Sequence, residues 1–235
     1  MKREFVERDY VHVYNRGNRK MDIFYNDSDK WRFMKMIRYF NNEEPSKNIL
    51  RQLFFLNRDD ECDHFEWPKN WAPQKPLVKI LTYCLKTNHF HLLMREIIKG
   101  GITKFMHKLG EGYTNYINAK YGESGRIFQG TYKSKIIKEA NVLQYIDIYI
   151  QVLNVFELYP GGIEGALKEF DKAFEFAMDY PFCSLGESFG KRRMEIIDRE
   201  IFGEMFTNLE AYKEVARDAL LVRNIREIMG KLVIE

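Results

Sequence analysis

Two histidines separated by one residue, His89-Phe90-His91, stand inside a run of β-favouring residues. Side chains alternate along a strand, so both imidazoles project from one face while Phe90 turns toward a core. Two imidazoles on one face can share a divalent ion. Asn88 precedes the pair and Leu92-Leu93 follows it, which sets the rings at the entry of an apolar strand where they are held rigidly. Downstream, Tyr149 lies on a predicted helix, with Tyr145 one turn before it on the same face. A tyrosine beside a metal can act as a nucleophile, because the cation stabilises charge on the phosphate under attack and on the leaving oxygen. By themselves these features also have plainer readings. His-x-His occurs by chance in many strands, and helix tyrosines usually pack in a core with the hydroxyl reaching water or a partner.

The elements that must carry these side chains are legible from periodicity. Tyr10 to Arg16 alternates as a strand and ends at the turn signal Gly17-Asn18. Ser28 is the expected cap of an amphipathic helix bearing Trp31, Phe33, Met34, Ile37 and Phe40 and ending near Asn41-Asn42. Leu53 to Leu56 reads as a short strand, and Glu66 to Pro76 as a proline-punctuated loop. Val78–Leu85 and His89–Met94, parted by Lys86-Thr87-Asn88, form a hairpin. A helix follows over about Ile102 to Tyr121, then an extended piece over Ile127 to Ile137, then a helix capped by Asn141 that carries Tyr145, Tyr149 and Leu153 along one side. Past Gly161-Gly162 the chain reads as helical, from Glu164 to Met178 and from Lys191 to Val233. In the last of these, Phe202, Met205, Phe206, Leu209 and Tyr212 are expected to pack on the core.

Composition narrows the class. The chain has 235 residues, 45% hydrophobic and 30% charged, and no apolar run approaches the roughly 20 residues of a membrane span. The N-terminus lacks the apolar core of a signal peptide, which points to the cytoplasm. Cys62, Cys84 and Cys183 are odd in number and widely spaced, and read as reduced thiols. The net charge of +3 is too small to prove nucleic-acid binding, but its distribution is informative. Between Lys99 and Lys138 the basic residues Lys104, Lys108, Lys120, Arg126, Lys133 and Lys135 alternate with Tyr113, Tyr116, Tyr121, Phe128 and Tyr132. Phosphate-neutralising cations beside stacking aromatic faces suit a single-strand binder, and an amphipathic helix with a solvated lysine face fits the same stretch equally well.

Four segments together resemble one family. Tyr10-Val11-His12-Val13-Tyr14-Asn15-Arg16-Gly17-Asn18, Tyr83 to Leu93, Ser124-Gly125-Arg126-Ile127-Phe128-Gln129-Gly130-Thr131-Tyr132-Lys133 and Tyr180-Pro181-Phe182-Cys183-Ser184 are similar, in order, to the signatures of REP-associated tyrosine transposases. These are single-tyrosine HUH transposases of the IS200-like group, found in bacteria. The resemblance implies an α+β fold, a ferredoxin-like antiparallel sheet with helices on one face. It divides the chain into a catalytic domain at 1–160 and a C-terminal helical extension at 161–235. It also implies Mg²⁺ or Mn²⁺ on His89 and His91, and Tyr149 as nucleophile, with Tyr145 in reserve. Relatives usually place an asparagine or glutamine one turn after the tyrosine as a third ligand; here that residue is Leu153, which cannot bind a metal. Asn154 faces the ion only if the helix is wound by one extra residue, as in a π-bulge, while Gln151 points away from Tyr149 in a regular helix.

The implied activity is nicking and rejoining of single-stranded, hairpin-flanked DNA through a 5′-phosphotyrosine, at the bacterial nucleoid, by a monomer or a homodimer. Candidate DNA contacts are Asn15, Arg16, Arg126, Gln129, Tyr132 and Lys133. The Leu153 departure also suits a catalytically weakened relative that only binds single-stranded or hairpin nucleic acid. A third class is a metal-dependent hydrolase pairing His89 and His91 with Glu96 or Asp147.

Overall fold

The computed structural model describes residues 9–44, 65–199 and 208–221, together with residues 5, 49, 53, 205 and 206. Its first half runs β1 (Tyr10–Arg16), α1 (Asp27–Phe40), β2 (Val78–Leu85), β3 (His89–Glu96), α2 (Gly101–Tyr121) and β4 (Lys133–Ile137). The strands form one antiparallel sheet in the order β2-β3-β1-β4. This βαββαβ order with the two outer strands second and last is the ferredoxin-like arrangement. After β4 come α3 (Ala140–Ile148), a π-helical segment (Tyr149–Leu153) and a single further turn (Asn154–Phe156) on the same helical path. Then follow α4 (Gly162–Lys168), α5 (Phe170–Asp179), α6 (Leu185–Ser188) and α7 (Leu209–Leu221).

Strand alternation divides the interior in two. Val11, Val13, Phe90, Leu92 and Met94 point to one face, where Phe33 and Ile37 of α1 and Phe105, Leu109 and Tyr113 of α2 cover them. Leu81, Cys84, Leu93 and Ile137 point to the other, beneath the π segment, α5 and α7. Helices therefore cover both faces of the sheet, not one, because the chain after β4 supplies a second apolar layer. An irregularity between Ile80 and Thr82 shifts the pairing of β2. Val78 and Ile80 before it and Tyr83 and Leu85 after it consequently share the first core, as a β-bulge permits.

The α1–α2 pair is pinned by a buried carboxylate. Asp29 accepts from Tyr116 Oη at 3.0 Å, Tyr121 Oη at 2.8 Å and Lys120 Nζ at 2.6 Å. Tyr113 is buried, with its hydroxyl donating to the Ile23 carbonyl, and Phe128 is buried as well. The basic-aromatic stretch is thus largely a packing seam, and Tyr113, Tyr116 and Tyr121 are committed to α1 and the turn before it rather than open for stacking on bases.

Several boundaries differ from the sequence expectation. The α1 cap is Asn26, whose side chain accepts from the Asp29 amide, while Ser28 sits in the first turn and donates to Asn26. Glu139, not Asn141, precedes α3, and Asn141 instead accepts from the adjacent Val142 amide. The piece before β4 is paired only through the Gly17–Phe128 bridge, so the strand proper begins at Lys133. The helix expected over Glu164 to Met178 is two helices broken at Glu169.

Residues 191–199 are not helical. The Asp198 amide donates to Ile80 and the Ile196 amide to Glu187, so partners on β2 and α6 outweigh local helix propensity there. Phe206 and Tyr212 pack in the second core as the apolar pattern requires. The strand expected at Leu53 to Leu56 lies outside the described residues except for Leu53, which is helical and buried. Cys62, Phe202 and residues 222–235 are also outside them. Cys84 and Cys183 are free thiols facing each other across a bridge at the β2 edge.

Candidate active site

The register of β1 on β3 sets Tyr14 opposite His91 and Arg16 opposite His89, and that of β1 on β4 sets His12 opposite Lys135 and Tyr14 opposite Lys133. Paired residues in an antiparallel sheet share a face. His12, Tyr14, Arg16, His89, His91, Lys133 and Lys135 accordingly form one polar field on the sheet surface beneath the π segment. Tyr149 closes it from above, with its ring 5.3 Å from that of His91 and 6.2 Å from that of His12. The tyrosine is 6% exposed. His89 and His91 lie with ring centroids 5.1 Å apart and planes nearly perpendicular.

All three imidazoles are held neutral. Burial, with the Lys86 charge next, lowers His89 to about 4. Burial, reinforced by Lys135, lowers His12 to about 3. His91 is pushed well below its ordinary value by burial and then by its two histidine neighbours. Neutral imidazole is the form that binds a metal. His89 Nδ1 pairs with Asn88 Oδ1 at 2.6 Å, so it carries the ring proton and leaves Nε2 with its lone pair. Asn88 in turn donates its amide to the Lys20 carbonyl at 3.1 Å, tying the ring to the turn after β1. That turn needs Gly17, where a Cβ would sit 1.9 Å from the Met21 carbonyl oxygen.

The π segment decides which amide reaches the histidines. In a regular α-helix the residue five places after Tyr149 points well to one side of it; a π turn, closing i to i+5, brings it back over the same face. Asn154 occupies that place. Its Nδ2 donates to the Tyr149 carbonyl at 2.9 Å, and its side-chain oxygen lies beside His89, where it opposes the lowering of that imidazole. Leu153 packs in the second core. Gln151 is buried on the far side, donating to Asp147 at 2.7 Å and accepting from Ser184 at 2.7 Å and Ser188 at 2.9 Å.

The six candidate DNA contacts divide between two sides of the sheet. Arg16 and Lys133 stand on the histidine side, where Arg16 Nε donates to Gln129 Oε1 at 2.6 Å and Lys133 Nζ lies 6.0 Å from the Tyr14 ring. Asn15, Arg126 and Tyr132 line a groove of about 570 Å³ between α2 and the 126–132 segment on the opposite side. Asn15 Nδ2 reaches the Gly130 carbonyl at 3.1 Å, which ties the end of β1 to that segment. Tyr132 is buried, its hydroxyl 3.3 Å from Thr103 Oγ1, so its ring is part of the groove wall.

A divalent ion fits His89, His91 and Asn154 on one structural ground above others. His91 Nε2 is buried and has no hydrogen-bond partner among the described residues, and such a ring nitrogen, when it carries the lone pair, is what a cation satisfies. The carboxylates considered for a hydrolase are elsewhere. Glu96 caps α2 by accepting from the Gly100 and Ile102 amides, and Asp147 bonds Gln151. Among the described residues no group of three or more His, Cys, Asp or Glu side chains is arranged to hold a metal, so a ligand set here draws on a donor of another type, such as the Asn154 amide. His12 was not singled out by its sequence. The available signal was a histidine alternating with Val11 and Val13 in a strand, on the face opposite the valines.

No helix among the described residues is long and apolar enough to cross a membrane. No curated protein matches the chain. Among solved structures, the chain is similar to one described as a REP-associated tyrosine transposase bound to a REP hairpin. The TM-score is 0.43 at 11% identity, covering 80% of this chain and 82% of that one. Residues 55–152, which hold His89, His91 and Tyr149, match the family model described as transposase IS200 like. The likeness to IS200-like transposases thus runs from before β2 into the π segment.

Proposed function

We propose that this protein nicks and rejoins single-stranded DNA flanked by a hairpin, through a 5′-phosphotyrosine at Tyr149, with Mg²⁺ or Mn²⁺ held by His89, His91 and Asn154. The observation that carries this reading is the π turn, which sets the Tyr149 ring on His91 and the Asn154 amide on His89 in one step of backbone. When bound, the cation would polarise the target phosphate and offset charge on the leaving oxygen.

The chain's own residues do the rest. Asn88 orients His89, and burial keeps both imidazoles unprotonated. Tyr149 Oη bonds to phosphorus as the P–O3′ bond breaks, and the phenolic proton ends on the released 3′ oxygen. One phosphoester replaces another, so no external energy source is needed, and a 3′-hydroxyl from another strand can reverse the step and free the tyrosine. Arg16 and Lys133, on the same face as the histidines, contact the phosphates that flank the cut.

The test is incubation of the full chain with labelled single-stranded hairpin DNAs from its own genomic flanks, in Mn²⁺ or EDTA, followed by denaturing gels. A metal-dependent protein–DNA band that survives denaturation and is lost in Tyr149→Phe supports the reading. Hairpin binding with no adduct on any substrate replaces it with a non-catalytic binding module, and cleavage without an adduct replaces it with a hydrolase.

A further inference from the structure

His12 has no role in the reading above, and it lies outside the segment that matches the family model. It is fully buried on the histidine face, and its Nε2 lies 2.9 Å from His91 Nδ1. The two rings are stacked at 5.1 Å, and Tyr14 packs on both, 5.2 Å from His12 and 5.7 Å from His91. A neutral imidazole has one N–H and one lone pair, so a contact between two such rings admits two arrangements. Either His91 Nδ1–H donates to His12 Nε2, which frees the lone pair of His91 Nε2, or the proton sits on His12 Nε2 and His91 carries its own proton at Nε2. Only the first lets His91 bind a cation through Nε2, which is buried without a hydrogen-bond partner among the described residues, as is His12 Nδ1, the atom that then carries the His12 proton.

We propose that His12 is a positioning residue that accepts the Nδ1 proton of His91 and so presents His91 Nε2 to the divalent ion. Metal-bound histidines are usually oriented through the second ring nitrogen by a carboxylate, a carbonyl or a water. Here an imidazole does this, and for His89 an asparagine side chain does the same. The inference rests on the proposed metal site.

The experiment compares full-length wild type, His12→Phe and His12→Gln. Long-range ¹H–¹⁵N NMR of the metal-free proteins reads the tautomer of His91, and Mn²⁺ titration followed by electron paramagnetic resonance reads affinity. In the wild type the His91 proton is expected on Nδ1. In His12→Phe it moves wholly or partly to Nε2 and Mn²⁺ binds about 10–100-fold more weakly, the loss typical of removing such a partner. In His12→Gln the side-chain oxygen replaces the lost acceptor, so the tautomer returns and affinity stays within several-fold of wild type.

An unchanged tautomer with Mn²⁺ affinity within twofold in a folded His12→Phe overturns the inference and leaves the metal site standing. Wild type that binds no Mn²⁺ overturns the metal site, and this inference with it. Should His12→Phe fail to fold, His12→Asn decides. Its oxygen is too short to reach His91 Nδ1, so equal Mn²⁺ affinity of the Asn and Gln variants counts against the proposal.

Discussion

Asn154 donates to the Tyr149 carbonyl at 2.9 Å, so the amide proposed as the third ligand is held by the backbone that carries the tyrosine. A change in the winding of this helix therefore moves the two side chains together. Asn154→Ala should weaken Mn²⁺ binding at least tenfold and slow adduct formation, while hairpin binding in EDTA is unchanged; equal Mn²⁺ affinity would remove Asn154 from the ligand set. Leu153→Gln restores an amide one turn after the tyrosine but buries it in an apolar core. We expect no gain in metal affinity and a stability loss of about 1–3 kcal/mol in urea denaturation.

Gln151 joins Asp147 on its own helix to Ser184 and Ser188 near α6 through one buried amide. Removing a hub of this kind strands several buried partners at once. Gln151→Ala should lower stability by about 2–4 kcal/mol, measured by chemical denaturation, with Mn²⁺ affinity reduced only as far as the π segment loosens.

Burial raises the Asp147 carboxyl to about 7, only partly opposed by its hydrogen bonds to Tyr212 and Gln151. The folded chain thus keeps a proton that the unfolded chain releases near the ordinary carboxylate value. The sign follows: this group favours the folded state at low pH, and its contribution is lost as pH rises toward about 7 and is flat above it. Asp147→Asn cannot ionise. The stability difference, variant minus wild type, should therefore rise by on the order of a few kcal/mol between pH 4 and pH 8. A difference independent of pH would show that Asp147 ionises normally in the fold.

Arg16 and Lys133 flank the histidines on β1 and β4. Arg16→Ala and Lys133→Ala should each weaken hairpin-DNA binding and lower the slope of log affinity against log salt by about 1. Arg16 also donates to Gln129, so a Gln129→Ala control separates loss of that tie from loss of a phosphate contact. Unchanged binding across the salt series in both variants would move the DNA path away from this face.

The elements with strong alternation were readable in the sequence. Tyr10–Arg16 is a strand within the expected limits because valine and aromatic residues at every second place leave little choice of face, and Val78–Leu85 is one because its nearly continuous apolar run suits a buried strand. The π turn was legible only as a condition, since nothing local in Tyr149–Leu153 favours it; it arises from packing Leu153 in the core while Asn154 meets His89. His12 was hidden because its meaning depends on the register of two strands far apart in sequence. The basic-aromatic stretch misled for a related reason. Composition cannot tell that Asp29, three helical turns before the end of α1, gathers Lys120, Tyr116 and Tyr121 to itself.

The outer edge of β2 is not bare. Leu85 donates to the Phe182 carbonyl, Ser184 to Tyr83 and Asp198 to Ile80, so segments from the last third of the chain finish the hydrogen bonding of the sheet. An unpaired strand edge is a template for pairing with other chains. A fragment ending at residue 160 would keep His89, His91, Tyr149 and Asn154 yet expose this edge and the apolar side of the π segment that α5 and α7 cover. Its fate in solution would be self-association, so the histidine-bearing part of the protein depends on the last third of the chain to stay a separate molecule.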